Sequence, residues 1–266
     1  MFNLVATSTM CLMELSTAQQ TLFRDRGILH LKGAISKKTC AALQQAVLHE
    51  LDRLNLRVKG QPASSKLQHL PPFQQVNVLG QKVNVDAPLA GLFPAELLRL
   101  IGALSGTTVK PNEAVPQLLL SFPHKDEWTL NRLNWHLDLA LPSKNEIPGI
   151  QAFALIADLK PRGGATLALA GSHRLPYAGP KNPTPALAIL REDETFKDLL
   201  SGRAQPPEPF FHPRPVNGIE IQVVEMTGQA GDVYLMDLRV LHSPSLNATR
   251  AIRMMATGRF IKADRK

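Results

Sequence analysis

The hydrophobic pattern of the first hundred residues is mostly helical. Residues 40–56 carry apolar side chains three or four positions apart, which is the spacing of one helix face. Ser36 precedes this segment, and a serine hydroxyl is well suited to accept a hydrogen bond at a helix N-terminus. Residues 57–93 have a mixed pattern that predicts no particular element. Three shorter elements are also predicted here: a helix that begins at Ser16 or Thr17 and ends near Arg26, a strand at residues 27–31, and a helix at residues 96–104.

From about Val115 onward the pattern changes to short apolar runs that are typical of strands. Glycine-containing turns separate most of these runs, for example at residues 162–164 and 227–231. Many short strands joined in this way favour a sandwich or barrel of the jelly-roll kind, with helices at its flank. The predicted strands lie at residues 116–122, 133–141, 150–158, 166–170, 219–226, 232–237 and 251–261.

The pattern favours a single domain over residues 1–266, since all-β barrels and sandwiches of this length commonly form one unit. Residues 1–114 are expected to be mostly helical support with the first strand, and residues 115–262 to form the jelly-roll core. A proline-containing insert at residues 175–217, with a helix-like stretch at residues 186–200, interrupts the strands. Long inserts are often functional, so we predict a lid over a site.

Composition and charge narrow the function only modestly. Apolar residues make up 44% of the chain and charged residues 20%, which is ordinary for a globular protein. The net charge of +8 favours acidic partners, but the basic residues are scattered and only 5% of residues are aromatic. We therefore expect a small-molecule substrate, with an acidic one favoured, and no nucleic-acid partner.

Cysteine usage and the N-terminus indicate a reducing compartment. Cys11 and Cys40 match no metal-binding pattern and are too few for a disulfide framework. Residues 1–15 lack the basic start and the long apolar block of a secretion signal or a membrane helix. A cytoplasmic protein without a membrane partner is therefore expected.

The most distinctive short motif is the pair His136 and Asp138, within the predicted strand at residues 133–141. Side chains two positions apart on a strand point to the same side, so this imidazole and carboxylate are expected to lie together. With one more histidine they form the two-histidine, one-carboxylate set that binds non-haem iron(II) and leaves positions open for other ligands. A second match to the spacing, His124 and Asp126, lies in a polar stretch without strand alternation and is interpreted as coincidental.

His242 is the candidate for the second histidine. It follows the predicted strand at residues 232–237 and opens a loop before the last strand. That last part of the chain carries Arg250 and Arg253, and an arginine can hold a carboxylate by two parallel hydrogen bonds. The alternation along residues 251–261 does not decide which arginine faces inward, because both faces of this strand are apolar.

In their order along the chain, these segments resemble the phytanoyl-CoA dioxygenase-like family of iron(II)/2-oxoglutarate oxygenases. The similarity spans roughly residues 15–35 and 115–260. Asn247 and Arg253, five and eleven residues after His242, lie where the family has an asparagine and the cosubstrate arginine. The other matching segments are the opening strand within residues 26–33, the metal motif at residues 135–138, the glycine-rich hairpin with its Gly-Ser-His loop at residues 163–174, and the strand that leads to His242.

The resemblance implies a double-stranded β-helix core of the cupin-like kind, with a site for iron(II), 2-oxoglutarate and O2. It implies Arg253 as the anchor for the distal carboxylate of 2-oxoglutarate, with Arg250 as the alternative. Thr166 is a further candidate for cofactor binding, since it lies, like Phe153, on a strand that lines the pocket in relatives; both residues also fit a plain core. The implied catalytic metal ligands are His136, Asp138 and His242.

The implied reaction is oxidation of an unactivated C–H bond in a small metabolite, with release of succinate and CO2. Related halogenases replace the carboxylate of the metal motif with a small residue, so the presence of Asp138 favours hydroxylation. Desaturation and ring formation, as in biosynthetic enzymes, stay open. Two other classes also stay open, a jelly-roll binding protein without catalysis and a cupin-type metal enzyme that does not use 2-oxoglutarate. The sequence determines neither the substrate nor the oligomeric state.

Overall fold

The structure is a computed structural model that describes residues 14–62, 65–131, 133–138, 147–179, 181–203 and 206–263. Cys11 and nearly all of the segment tested for a secretion signal lie outside these residues. Cys40 is a buried, free thiol. Within the described residues, no helix is long and apolar enough to cross a membrane.

The helices at residues 17–26, 37–53 and 95–105 begin and end close to the predicted positions, and three further helices lie within residues 57–93, where no element was predicted. Ser16 and Ser36 cap the first two, accepting hydrogen bonds from the backbone N–H groups of Gln19 and Thr39. The single helix expected at residues 186–200 is instead two shorter helices. The helices are α1 (Thr17–Arg26), α2 (Lys37–Arg53), α3 (Ser65–Gln68), α4 (Pro72–Lys82), α5 (Asp86–Leu89), α6 (Ala95–Ser105), α7 (Thr184–Glu192) and α8 (Phe196–Ser201), with 3-10 turns at Ser172–Arg174 and Glu208–Phe211.

Two antiparallel sheets form the centre of the fold. The strands are β1 (Ile28–Leu31), β2 (Arg57–Val58), β3 (Gln61–Pro62), β4 (Val109–Pro111), β5 (Gln117–Ser121), β6 (Gly149–Leu155), β7 (Thr166–Ala170), β8 (Arg214–Val216), β9 (Ile219–Glu225), β10 (Val233–Asp237), β11 (His242–Pro244) and β12 (Arg253–Lys262). The larger sheet has the strand order β1-β10-β6-β12-β4, with β5 also paired to β12. The smaller sheet has the order β11-β7-β9-β8. The short strands β2 and β3 form a separate pair. A mainly-β fold with flanking helices, as predicted, is confirmed.

The larger sheet is buried on both faces. On β12, Met254, Ala256 and Phe260 pack in the same apolar cluster as the helices α2 and α6. Met255, on the opposite face, packs with residues of both sheets, Phe153 of the larger and Ala168 of the smaller among them. One face is therefore covered by helices and the other by the second sheet, which is why the alternation of apolar residues predicted no inward face for β12.

The insert at residues 175–217 lies against the outer face of the smaller sheet. Its buried side chains form one apolar cluster with Leu167, Leu169, Ile221 and Val223 of β7 and β9; they are Leu175, Ala186, Leu190, Phe196, Leu199, Phe210 and Val216. None of the insert's described residues lines the cavity that holds the candidate site. The expected lid is therefore wrong for these residues, because the apolar outer face of β7 and β9 is what they cover.

Candidate functional site

The segment that carries His136 and Asp138 is not the strand that was predicted. Its described residues are irregular, apart from one bridge in which His136 and His242 exchange backbone hydrogen bonds of 3.0 and 3.2 Å; residues 139–141 lie outside the described part. Trp135 and Leu137 are nonetheless buried in the insert's apolar cluster, while His136 and Asp138 line the cavity. Side chains therefore alternate between the apolar cluster and the cavity even though the segment is not a regular strand. The bridge joins the two histidines of the candidate site.

The bridge brings three candidate metal ligands together. The Nε2 atom of His136 is 3.3 Å from Oδ1 of Asp138, and Nε2 of His242 is 3.6 Å from Oδ2. One ligand atom from each of the three residues lies within 4.8 Å of the others. Among the described residues this is the only such group of three or more, and it excludes His124 and Asp126.

The orientation of both imidazoles suits metal binding. Nδ1 of His136 lies 2.7 Å from the carbonyl oxygen of Asn134, and Nδ1 of His242 lies 3.1 Å from that of Val240. Because a carbonyl oxygen only accepts hydrogen bonds, each Nδ1 donates. Nε2 of each ring is directed towards Asp138: a protonated ring donates from Nε2 to the carboxylate, and a neutral ring offers the Nε2 lone pair there, as in histidines that bind a metal.

The charges of the three groups are strongly coupled. Burial alone raises the pKa of the Asp138 carboxyl, but hydrogen bonds from His136 and His242, with the nearby charge of Arg259, hold it well below its ordinary value. Burial lowers the pKa of His136, yet its hydrogen bonds to Asp138 and to the Asn134 carbonyl leave that pKa raised overall. Asp138 is therefore an ionised carboxylate, which is the form that binds a metal cation.

Arg253 is the one arginine of the predicted pair that reaches the site. It is 2% exposed, and its Nη1 donates to the Gly164 carbonyl at 2.7 Å. Its Nε and Nη2 atoms are buried and have no hydrogen-bond partner in the described part of the chain, and burial lowers the pKa of Arg253 to about 9. Arg250 is exposed and does not line the cavity, so it is wrong as the alternative anchor. A buried guanidinium with two free donor atoms fits a carboxylate ligand.

The cavity between the sheets has a volume of about 190 Å³. Thr166 and Phe153 line it, as the resemblance implied, together with the three candidate ligands and Arg253. Helix α4 covers the cavity and contributes Phe73 to its lining. This helix lies within residues 57–93, where the sequence predicted no particular element. The Phe73 ring stands edge-on to His136, with 5.4 Å between ring centroids.

Two residues of the site were missed by the sequence analysis. Nε of Arg259 donates to Oδ2 of Asp138 at 2.9 Å, its Nη2 atom donates to the same oxygen, and Nε2 of Gln151 donates to it at 2.7 Å. Arg259 lies on the same strand as Arg253, six residues further on, so a period of two puts both on one face. The spacing of Arg259 from Arg253 was therefore visible in the sequence and could have identified Arg259. No local sequence pattern indicates that Gln151 on β6 pairs with Arg259 on β12.

The remaining matching segments hold the candidate ligands in position. The Asn247 side chain donates to the Ala251 carbonyl at 2.8 Å, so it closes the loop between His242 and Arg253. In the Gly-Ser-His loop, the Ser172 hydroxyl accepts from the backbone N–H of Leu241 at 2.9 Å, beside His242. These two residues act on the backbone, and neither lines the cavity.

A comparison with family models matches one family over most of the chain. The model described as phytanoyl-CoA dioxygenase (PhyH) matches residues 23–255. No curated protein sequence matches the chain.

Solved structures of similar fold include an enzyme and two proteins crystallised with 2-oxoglutarate. The non-heme alpha ketoglutarate dependent carbocyclase SnoK from nogalamycin biosynthesis is 16% identical, with a TM-score of 0.56 over 94% of this chain and 85% of its own. EctD from S. alaskensis, with 2-oxoglutarate and 5-hydroxyectoine, is 18% identical, with a TM-score of 0.55 over 93% and 76%. HygX from Streptomyces hygroscopicus, with nickel and 2-oxoglutarate bound, is 15% identical, with a TM-score of 0.53 over 94% and 88%. At these identities the likeness is one of fold.

Proposed function

Because the chain belongs to the phytanoyl-CoA dioxygenase family, we propose that it uses iron(II), 2-oxoglutarate and O2 to oxidise a C–H bond of a small organic molecule. One observation carries this proposal: the group of His136, Asp138 and His242 shares a cavity with a buried arginine that has two unpartnered donor atoms. The first feature fits a non-haem iron(II) ion, and the second fits the far carboxylate of a dicarboxylate cosubstrate.

His136, Asp138 and His242 would hold the iron. When bound in such a site, iron(II) supplies the activation of O2 that is coupled to conversion of 2-oxoglutarate into succinate and CO2. The protein contributes the orientation of the reactants. Arg253 would hold the distal carboxylate through Nε and Nη2, while its bond to the Gly164 carbonyl keeps the guanidinium aligned.

The buried apolar walls of the cavity would limit the access of water to the reacting groups. Phe153 and Leu119, both buried, are among the lining residues, and Thr166 offers a hydroxyl for the cosubstrate. Exclusion of water would strengthen the pairing between Arg253 and the carboxylate of the cosubstrate, and would limit side reactions with solvent. Thr166 would add a neutral hydrogen bond to this charged pair.

The substrate would bind at the more open end, under α4. Phe73 is 37% exposed, and the polar side chains of Asn77 and Gln117 also line the cavity. SnoK is a carbocyclase and EctD was crystallised with 5-hydroxyectoine, so small molecules are the substrate class that the relatives support. The positive charge of the chain favours an acidic molecule, and Asp138 favours hydroxylation or another oxidation without halide.

Isothermal calorimetry of 2-oxoglutarate tests the proposal, anaerobically and with Mn²⁺ in place of iron. Wild type should bind only when Mn²⁺ is present. Arg253→Met should bind at least about 100-fold more weakly, because a charge-assisted pair of hydrogen bonds contributes about 3 kcal/mol. Arg250→Met, which removes an exposed arginine three residues earlier, is the matched control and should bind like wild type. Absence of metal-dependent binding in wild type would contradict the proposed function.

A further inference from the structure

The two oxygens of the Asp138 carboxylate have different surroundings. Oδ1 lies 3.3 Å from Nε2 of His136 and has no other hydrogen-bond donor among the described residues. Oδ2 accepts from Nε2 of Gln151 at 2.7 Å and from both Nε and Nη2 of Arg259. Oδ2 is therefore surrounded by N–H donors and lies 3.6 Å from Nε2 of His242, whereas Oδ1 faces His136 and has no N–H donor from Gln151 or Arg259.

Both donor residues are themselves fixed. Gln151 is 1% exposed, and its amide also donates to the Thr257 hydroxyl at 3.1 Å. That hydroxyl in turn donates to the Ala152 carbonyl at 3.0 Å. Nη1 of Arg259 donates to Glu113 at 3.1 Å, so the guanidinium is held from both sides. Gln151 and Arg259 lie opposite each other on β6 and β12, and neither can leave Asp138 without breaking a second contact.

We propose that Arg259, assisted by Gln151, is a positioning residue that makes Asp138 a one-oxygen metal ligand. The inference rests on the proposed function. A carboxylate with two free oxygens can bind a metal through both and occupy two coordination positions. With Oδ2 occupied by three N–H donors, only Oδ1 is available, and three positions stay open for a chelating cosubstrate and O2. The positive charge of Arg259 also fixes the carboxylate when no metal is bound.

Two rival roles for Arg259 lead to different outcomes. If it acts only as a positive charge near the metal, its removal should strengthen metal binding. If it serves only the ion pair with Glu113, its removal should lower stability and leave metal binding unchanged. Positioning instead requires that metal binding weaken and that the number of open metal positions fall.

The test compares wild type with Arg259→Met and Arg259→Lys, using Mn²⁺ as the probe. Arg99→Met is the matched control, since Arg99 forms an exposed ion pair with Glu96 on α6. Calorimetry gives the Mn²⁺ affinity, and the relaxation rate of water protons gives the number of exchangeable waters on the bound ion. We expect about 10- to 100-fold weaker Mn²⁺ binding in Arg259→Met, as is usual when a partner of a metal ligand is lost. Arg259→Lys should lie between this variant and wild type.

The water count supplies the second readout. Wild type should carry about three exchangeable waters on Mn²⁺, and Arg259→Met about one fewer, because Asp138 can then bind through both oxygens. Equal or tighter Mn²⁺ binding in both Arg259 variants, or an unchanged water count in Arg259→Met, would overturn the inference. If wild type binds Mn²⁺ but no 2-oxoglutarate, the proposed function fails instead, so the two failures are distinguishable.

Discussion

Arg253 and Arg259 lie six residues apart on β12 and line the same cavity, but only one of them has a negative partner among the residues that the structure describes. Arg259 is paired with Asp138 and with Glu113. Arg253 is buried with one backbone carbonyl, that of Gly164, as its partner among the described residues. Since a buried cation without an anion is costly, this arrangement suits a pocket completed by a carboxylate ligand.

The unpartnered charge of Arg253 predicts a trade between stability and binding. Arg253→Met should raise the melting temperature of the protein without ligands, because it removes a desolvated charge and keeps an apolar side chain of similar length. In wild type with Mn²⁺, 2-oxoglutarate at about 100 times its Kd should add about 2.7 kcal/mol of stability, and the variant should gain almost none. Thermal unfolding with and without 2-oxoglutarate measures both effects. A lower melting temperature for the ligand-free variant would instead make Arg253 a structural residue.

Local signals predicted much of the fold. Serine caps and helical spacing located α1 and α2, and the short run at residues 166–170 is the strand β7 to the residue. These elements depend mainly on residues close in sequence. His136 and Asp138 were found for a related reason: their spacing of two puts both side chains on one side even where the segment is irregular. His242 was identified from its place after a strand and from the family resemblance.

The rest of the site depends on contacts between distant segments. The sequence did not show which face of β12 lines the cavity, because helices cover one apolar face and the smaller sheet covers the other. For the same reason it did not exclude Arg250 as the anchor. Gln151 reaches Asp138 because β6 pairs with β12, a register that no local pattern specifies. The sequence also did not predict that α4 covers the cavity or that the insert at residues 175–217 packs on the smaller sheet. Both placements depend on which apolar surfaces of the sheets are left exposed by the rest of the fold, and that is not encoded locally.

The packing of the insert predicts a role in stability. Phe196 is fully buried and stands 6.1 Å from the ring of Phe210. Phe196→Ala should lower the free energy of unfolding by about 3–5 kcal/mol, the usual cost of a large cavity. Phe73→Ala, at a 37% exposed position, should cost about 1 kcal/mol or less. Chemical denaturation measures both, and a single transition is expected for the predicted single domain. Equal, small losses would contradict the packing role.

Thr166 predicts a smaller effect on cosubstrate binding than Arg253. Thr166→Val keeps the shape and removes the hydroxyl, so 2-oxoglutarate should bind the Mn²⁺-loaded protein about fivefold more weakly, equivalent to about 1 kcal/mol for one neutral hydrogen bond. Thr166→Ser keeps the hydroxyl and should stay close to wild type. Calorimetry on the three proteins decides the question. If Val and Ser affect the affinity equally, Thr166 is a packing residue only.

His173 predicts a pH dependence of stability that is separate from the metal site. It is 7% exposed, its Nε2 donates to the Arg24 carbonyl at 2.9 Å, and burial lowers its pKa below the ordinary value of 6.5. As the pH falls through 6.5, the unfolded chain takes up a proton that the folded protein resists, so stability decreases. His173→Gln keeps a donor for the Arg24 carbonyl and cannot titrate. Between pH 7.5 and 5.5, wild type should therefore lose a few degrees more in melting temperature than the variant, since 1 kcal/mol corresponds to about 2–4 °C at this size. Parallel curves for the two proteins would mean that His173 titrates alike in the folded and unfolded states.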